Sequence, residues 1–428
     1  MRRRLSITTG VFAAAVFLLW WSAWRPGFID ADAIDRLSRL RMFELTTDDP
    51  AAYTVWLGLA SIGGRSAALA TLLQGIAWAG LAAVWTSRLH DNGATRRSAA
   101  LAVGAIALLP GVAVGMLGLW TESLIALAAA WLLIEIVAPD WAHPIRLGAV
   151  IGLMAALGAV GLVTALVATA VIALGEHAPS APPLRRLLAT ATAIGLAGWF
   201  AVPYLLGMED GRADVAAVAP IVASALSHHG QDFPSQDLRD LSAVADIAVW
   251  HELYECGDPS VLLNDPEFVA NAISSARLRE IGFGAFIRNP LAAVGQLICA
   301  TASLMSPSLP ESSRYYLPAY TVFPNTIGVA REPLSTGALE STKAVLLRTQ
   351  QPDRLAWWWR AALPVVAAGL VYALVAARRR RAAAGASLLV GLLLGTFVGG
   401  PTPEFQTALP LYVVGWMSVT LAVTLKRT

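Results

Sequence analysis

The chain has 428 residues, 56% of them hydrophobic and 14% charged, with a formal net charge of +2. The charged share lies far below the ~25% of soluble domains, and several apolar runs reach the ~20 residues that cross a hydrocarbon core. These features exclude a soluble globular enzyme and offer no basic footprint for nucleic acid; they predict an all-α polytopic membrane protein.

The first apolar run, Leu5 to Trp24, follows three arginines at 2–4. It is long for a signal-peptide core and no small-x-small site follows it, so it reads as a retained first span. Further spans are expected near 66–87, 98–116, 119–138, 147–161, 163–175, 187–206, 355–377, 383–399 and 408–425, about ten in all. The apolar run 147–175 is divided at Gly158 and Gly161 because it is long for one crossing. Arg88, Arg96, Arg97, Arg146, Arg185, Arg186, Arg378 to Arg381, Lys426 and Arg427 then fall on one side, while the short loops near 117, 162 and 400–407 carry no Lys or Arg. That asymmetry predicts cytoplasmic termini and external large loops.

Three regions follow: an N-terminal transmembrane module over 1–206 with an external loop at 25–65, a mostly helical external domain over 207–354, and a C-terminal transmembrane module over 355–428. Within the external domain, Leu238, Leu241, Val244 and Ile247 recur at helical spacing after Ser235. Asp265-Pro266-Glu267 reads as a helix start. The apolar stretch 285–306 reads as an in-plane or domain-packed helix from Pro290, because a crossing there would put Arg378 to Arg381 outside. Residues 306–354, rich in proline, read as ordered loops forming a lid, and Trp357, Trp358 and Trp359 as an interfacial belt. Cys256 and Cys299 are too few for a disulfide framework or a zinc site. They can pair if both face an oxidising compartment, but spacing alone leaves that open.

The first external loop carries the chemistry. Asp30, Asp32 and Asp35 follow Trp20, Trp21 and Trp24 at a membrane surface, where carboxylates are costly. Ile34, Leu37, Leu40 and Phe43 form one stripe of a short amphipathic helix expected on the outer membrane surface. One reading makes Asp30 or Asp32 its N-cap; the other makes it a fixed carboxylate that binds a divalent cation or accepts a hydroxyl proton. Asp48-Asp49-Pro50 is either a turn and cap before a helix at 51–60 or a second acidic site. Glu122, at the external end of a later span, either snorkels or pairs with Asp32 for metal-assisted or general-base group transfer. Arg288 and the Arg314-Tyr315-Tyr316 cluster either hold phosphate or shield the domain's membrane-facing surface. His228, His229 and His251 read as solvated.

This layout resembles the GT-C class of polytopic glycosyltransferases. The stretch Trp24-x-Pro26-Gly27-Phe28-x-x-x-Asp32 is similar to the start of poorly characterised bacterial members, near the oligosaccharyl and mannosyl transferase group. Asp48-Asp49-Pro50 stands where that pattern has an Asp-x-His-Pro, Thr121-Glu122 where it has Lys-Asp, and Gln406-Thr407-Ala-Leu-Pro410 where it has Arg-Tyr-x-x-Pro. The lysine, the histidine and the late arginine are absent here.

The resemblance implies an inverting glycosyltransferase in a bacterial plasma membrane. It would move a sugar from a polyprenyl-phosphate donor to a cell-envelope glycan, lipid or protein acceptor on the external face. Asp32, Glu122 and Asp49 would be catalytic, Asp30, Asp48, Arg288 and Arg314 would bind substrate, and Asp32 with Glu122 would hold any Mg or Mn ion. Membrane lipids are the other expected partner. The alternatives are a transporter or flippase of a lipid-linked or small polar substrate, and a noncatalytic assembly partner. Transporters place binding groups at the bilayer midplane, whereas the acids here gather toward one face.

Overall fold

The computed structural model describes residues 2–137, 144–175, 181–209, 213–256, 260–263, 265–269, 272–305, 317, 320–376, 381–399 and 404–427. Every regular element among them is helical, joined by two isolated bridges, Phe28 with Gly118 and Thr46 with Glu209. The first half runs through α1 (Arg2–Trp24), α2 (Ala31–Met42), α3 (Ala51–Ala60), α4 (Ala67–Asp91), α5 (Arg96–Ala107), α6 (Pro110–Leu117) and α7 (Thr121–Val137). It continues with α8 (Pro144–Ala156), α9 (Ala159–Gly175), α10 (Ala181–Leu196) and, past a π-turn, α11 (Val202–Leu206).

Ser6–Trp24, Ala67–Asp91, Leu184–Leu206 and Phe405–Thr424 are long and apolar enough to cross a membrane, and up to seven spans result if each bent pair is one span. The chain is thus a helical membrane protein. The segment 98–116 is not straight: α5 and α6 meet at 60°. Pro110 opens α6, and a proline drives the residue before it out of the helical region. The run 147–175 is broken where Gly158 takes a φ of +106°. The resulting α8, with 13 residues, rises only ~20 Å, short of the ~30 Å core.

The bundle packs through close backbone approaches. Phe17 of α1 lies against Gly75 of α4, where an added Cβ would come within 2.0 Å of the ring; small residues at such contacts let membrane helices approach. On the far side α20 (Ala362–Ala376), α21 (Arg381–Val398) and α22 (Phe405–Val419) close the bundle. Phe405 and Tyr412 of α22 are fully buried, and the Tyr412 hydroxyl donates to Trp358 O at 2.7 Å.

The segment between the two halves serves two cores. In α12 (Ala213–His229), α13 (Ser235–Val244), α14 (Ile247–Glu252), α15 (Ser260–Leu263) and α16 (Ser275–Arg288), Leu226, Leu241, Trp250 and Ile281 bury against each other in a separate cluster. The stripe expected after Ser235 forms α13, but the helix stops at Val244; Asp246 caps a new one through Ala248 N. Asp265-Pro266-Glu267 makes a turn instead of a helix start. Asp265 Oδ1 accepts from Glu267 N at 2.8 Å, Val269 N donates to Val244 O, and Phe268 packs edge-on against Trp250. These tertiary contacts pull the chain away from helical continuation. The axes of α16 and α17 (Pro290–Met305) differ by 105°. A disulfide joins Cys256 to Cys299 of α17.

The segment expected to be loops contains α18 (Thr336–Thr349), capped by Ser335 through Ala338 N, and the first turn of α19 (Pro352–Trp358), which runs on into the span expected from 355. Residues 306–316 lie outside the described residues. Helix α18 belongs to the bundle, since Leu346 is buried there and Trp24 Nε1 donates to Thr342 Oγ1 at 2.8 Å. The tryptophan belt is only partly a belt. Trp357 and Trp358 are exposed, but Trp359 is fully buried against Phe405 and donates to Thr349 Oγ1.

Candidate functional site

The site is assembled by the turn that leaves α1. Gly27 has a φ of +134°, and a Cβ there would stand 2.4 Å from Leu117 O and 2.6 Å from Thr71 Cγ2. Only glycine fits, because of both the backbone region and the contact. Around it, Phe28 N donates to Leu117 O at 3.0 Å, Thr71 Oγ1 to Pro26 O at 2.7 Å, and Gln74 Nε2 to Gly118 O at 3.0 Å. The exit of α1 is thereby fastened to the entry of α7. Arg331 clamps the turn from the other side. Its guanidinium lies 5.0 Å from the Trp24 ring and 5.5 Å from the Phe28 ring, and it donates to Gly27 O at 2.9 Å and Tyr320 O at 3.2 Å.

Asp30 comes next. Its Oδ1 accepts from Ala33 N at 2.7 Å, the N-cap of α2, and its Oδ2 accepts from Trp120 Nε1 at 3.0 Å. Burial pushes its carboxyl upward, opposed by these hydrogen bonds and by Arg36. Of the two readings for the acidic start of α2, capping therefore falls to Asp30. Asp32, in the first turn, is exposed, and no hydrogen bond or ion pair engages it among the described residues.

Helix α2 does not lie with its stripe toward lipid. Leu37 and Leu40 are buried in the bundle core, whereas Phe43 adopts a left-handed backbone and is 85% exposed. The arginines of α2 bind the second acidic stretch. Arg36 pairs with Asp49 at 2.8 Å and lies over the Tyr53 ring, whose hydroxyl donates to Leu119 O. Arg39 pairs with Asp48 and, at 2.6 Å, with Asp35. Asp48 and Asp49 thus tie α2 to the start of α3, beside a space of only about 20 Å3.

Glu122 stands two residues beyond Trp120 at the start of α7, partly buried, in the field of Arg36, Asp30 and Asp49. A further acid, Glu404, precedes α22 at the N-cap position without a side-chain capping bond, and the Gln406 side chain donates to it. Burial, together with Glu122, Asp30 and Asp32, pushes Glu404 up to about 7. Carboxylates from the first loop, α7 and α22 therefore share one electrostatic neighbourhood at one end of the bundle. The sequence reading missed Glu404 and Arg331. Glu404 does sit in the loop 400–407, between spans on the side assigned to Asp32 and Glu122. Arg331 carried no sequence signal.

Arg288 is exposed at the edge of the second core, where it pairs with Asp237 at 3.0 Å and lies 5.2 Å from the Phe233 ring. Arg314 lies outside the described residues. Among the described residues no three His, Cys, Asp or Glu side chains are placed to hold a metal ion. The chemical capacity of the cluster is proton transfer: an exposed carboxylate, Asp32, shares the field of Glu404, whose carboxyl burial pushes up to about 7.

No protein-family model, curated protein or solved structure matches this chain. The fold and site define a helical membrane protein with a shared acidic cluster at one end of its bundle.

Proposed function

We propose that this protein is a membrane glycosyltransferase that moves a sugar from a polyprenyl-phosphate donor to an acceptor hydroxyl at the acidic end of the bundle. The observation that carries the reading is the convergence of Asp30, Asp32, Glu122 and Glu404 from three segments far apart in the chain. Asp32 accepts the proton of the acceptor hydroxyl. The freed oxygen bonds to the anomeric carbon as its bond to phosphate breaks, and the electron pair leaves with polyprenyl phosphate, inverting the centre. Glu122 and Glu404 position the acceptor, and Glu404 takes part in proton uptake. Asp30 holds the start of α2, so Asp32 meets the substrate at a fixed angle. A site at the bundle end suits a donor whose lipid keeps it in the bilayer.

The same reading takes the bent and short helices as crossings or near-crossings of a ten-span bundle, with termini cytoplasmic and the acidic end external. The test is transfer in membranes supplied with polyprenyl-phosphate sugars. Asp32→Asn should abolish transfer at unchanged expression and melting temperature. Full activity of that variant would remove Asp32 from the mechanism, and transport of the donor without transfer would support the flippase alternative.

A further inference from the structure

A groove of about 560 Å3 runs between α4, α7 and α8. Its walls are apolar, among them Ala77, Gly80, Leu124 and Leu153, and it reaches Ala52 and Trp56 of α3 at one end. At the other end stand Arg88, Glu135 and Arg146. Between Leu124 and Glu135, α7 advances ~17 Å, about half of a ~30 Å hydrocarbon core. The groove is one leaflet deep, and its polar end is the end of α4 and α7 remote from the acidic cluster.

Among the described residues that line that end, one arginine is left over. Arg146 pairs with Glu135 at 2.8 Å, and the other Glu135 oxygen accepts from Trp131 Nε1 at 3.1 Å. Arg88 has no ion-pair partner among the described residues, and its Nε is buried with no hydrogen-bond partner. An arginine in the last turn of α4 gains from the helix dipole, but that leaves its buried N–H unmet, and an unmet buried donor is costly. Arginine matches phosphate oxygens with two parallel hydrogen bonds.

We propose that this groove binds an anionic membrane phospholipid, with a hydrocarbon chain along α7 and its phosphate on Arg88. The one-leaflet depth fits a phospholipid chain, and the unpaired cation supplies selectivity for a net negative head. The inference stands apart from the glycosyl-transfer reading.

The test uses the full chain in nanodiscs of phosphatidylcholine with or without phosphatidylglycerol, followed by native mass spectrometry and melting. The wild type should retain phosphatidylglycerol through delipidation in preference to phosphatidylcholine. Arg88→Gln should reduce that retention about tenfold, the weight of one charge-assisted contact. Gly80→Leu should reduce retention of both lipids, since a Cβ at Gly80 meets nothing within 4 Å and the new side chain enters the groove. Absence of preference in the wild type, wild-type retention by both variants, or displacement of phosphatidylglycerol by a polyprenyl phosphate would each overturn the proposal.

Discussion

The indole of Trp120 donates to Asp30 at 3.0 Å, and the same carboxylate caps α2 through Ala33 N. One side chain thus joins the entry of α7 to the start of α2. This divides the acids of the first loop into a structural one, Asp30, and an exposed one, Asp32.

The two should part company on mutation. Asp30→Ala loses an N-cap, about 1 kcal/mol, and a hydrogen bond to a charged acceptor, ~1.5–3 kcal/mol. Its melting temperature in detergent should fall clearly, and Trp120→Phe should reproduce the second part of that loss. Asp32→Asn should melt as the wild type does. Equal losses at the two positions would contradict the division.

Gly27 should tolerate no side chain. Gly27→Ala places a Cβ against Leu117 O and Thr71 Cγ2 in a backbone region costing ~1–3 kcal/mol for other residues. Folded yield and melting temperature should both drop, whereas Gly63→Ala meets nothing within 4 Å and carries only the backbone penalty.

Arg331 should resist conservative replacement. Its planar head bonds Gly27 O and Tyr320 O while lying near two rings, and a lysine cannot reproduce that fork. Both Arg331→Lys and Arg331→Ala should lower the melting temperature, with alanine the worse by the lost cation–π contact of ~0.5–2 kcal/mol. A lysine variant as stable as the wild type would sink this assignment.

Glu404 should make stability depend on pH. Its folded value of about 7 lies above the ordinary 4.5. Between these values the folded protein holds a proton that the unfolded chain has released. Stability is therefore greatest below the ordinary value, falls as pH rises toward 7, and levels off beyond it. Each unit of displacement is worth about 1.4 kcal/mol. Glu404→Gln should flatten the melting-temperature profile across that window; an unchanged slope would assign the dependence elsewhere.

Cys256 and Cys299 should resist alkylation in intact cells until a reductant is added, because they are joined. Disulfides persist in oxidising compartments, so the result also reports the side on which α17 lies. Ready labelling without reductant would refute the pairing in the cell.

Much of the helical framework was legible because it is written in local runs: each expected span contains one or two helices, and Gly158 marks a true break. Periodicity also located α2, but not what its stripe covers. Leu37 and Leu40 face the bundle instead of lipid, and that depends on what packs against them, such as α3 at Gly58 beside Leu40, not on the segment itself. The proline-rich context hid α18, although Ser335 and the run to Thr349 hold a cap and a helical pattern. The acidic cluster was half legible. Asp30, Asp32 and Glu122 stand out as charges beside apolar runs, while Glu404 joins them only through the packing of α22 on α7.

The middle of the chain has two allegiances. Residues of α12 to α16 close on their own interior, while α18 braces the first helix through Thr342 and Trp24. The outer surface of the former can diverge, and acquire or lose whatever docks on it, with the bundle untouched. The brace has no such freedom: Trp24 also stacks on Phe28 of the turn that leads to Asp30, so a change there propagates to the acids.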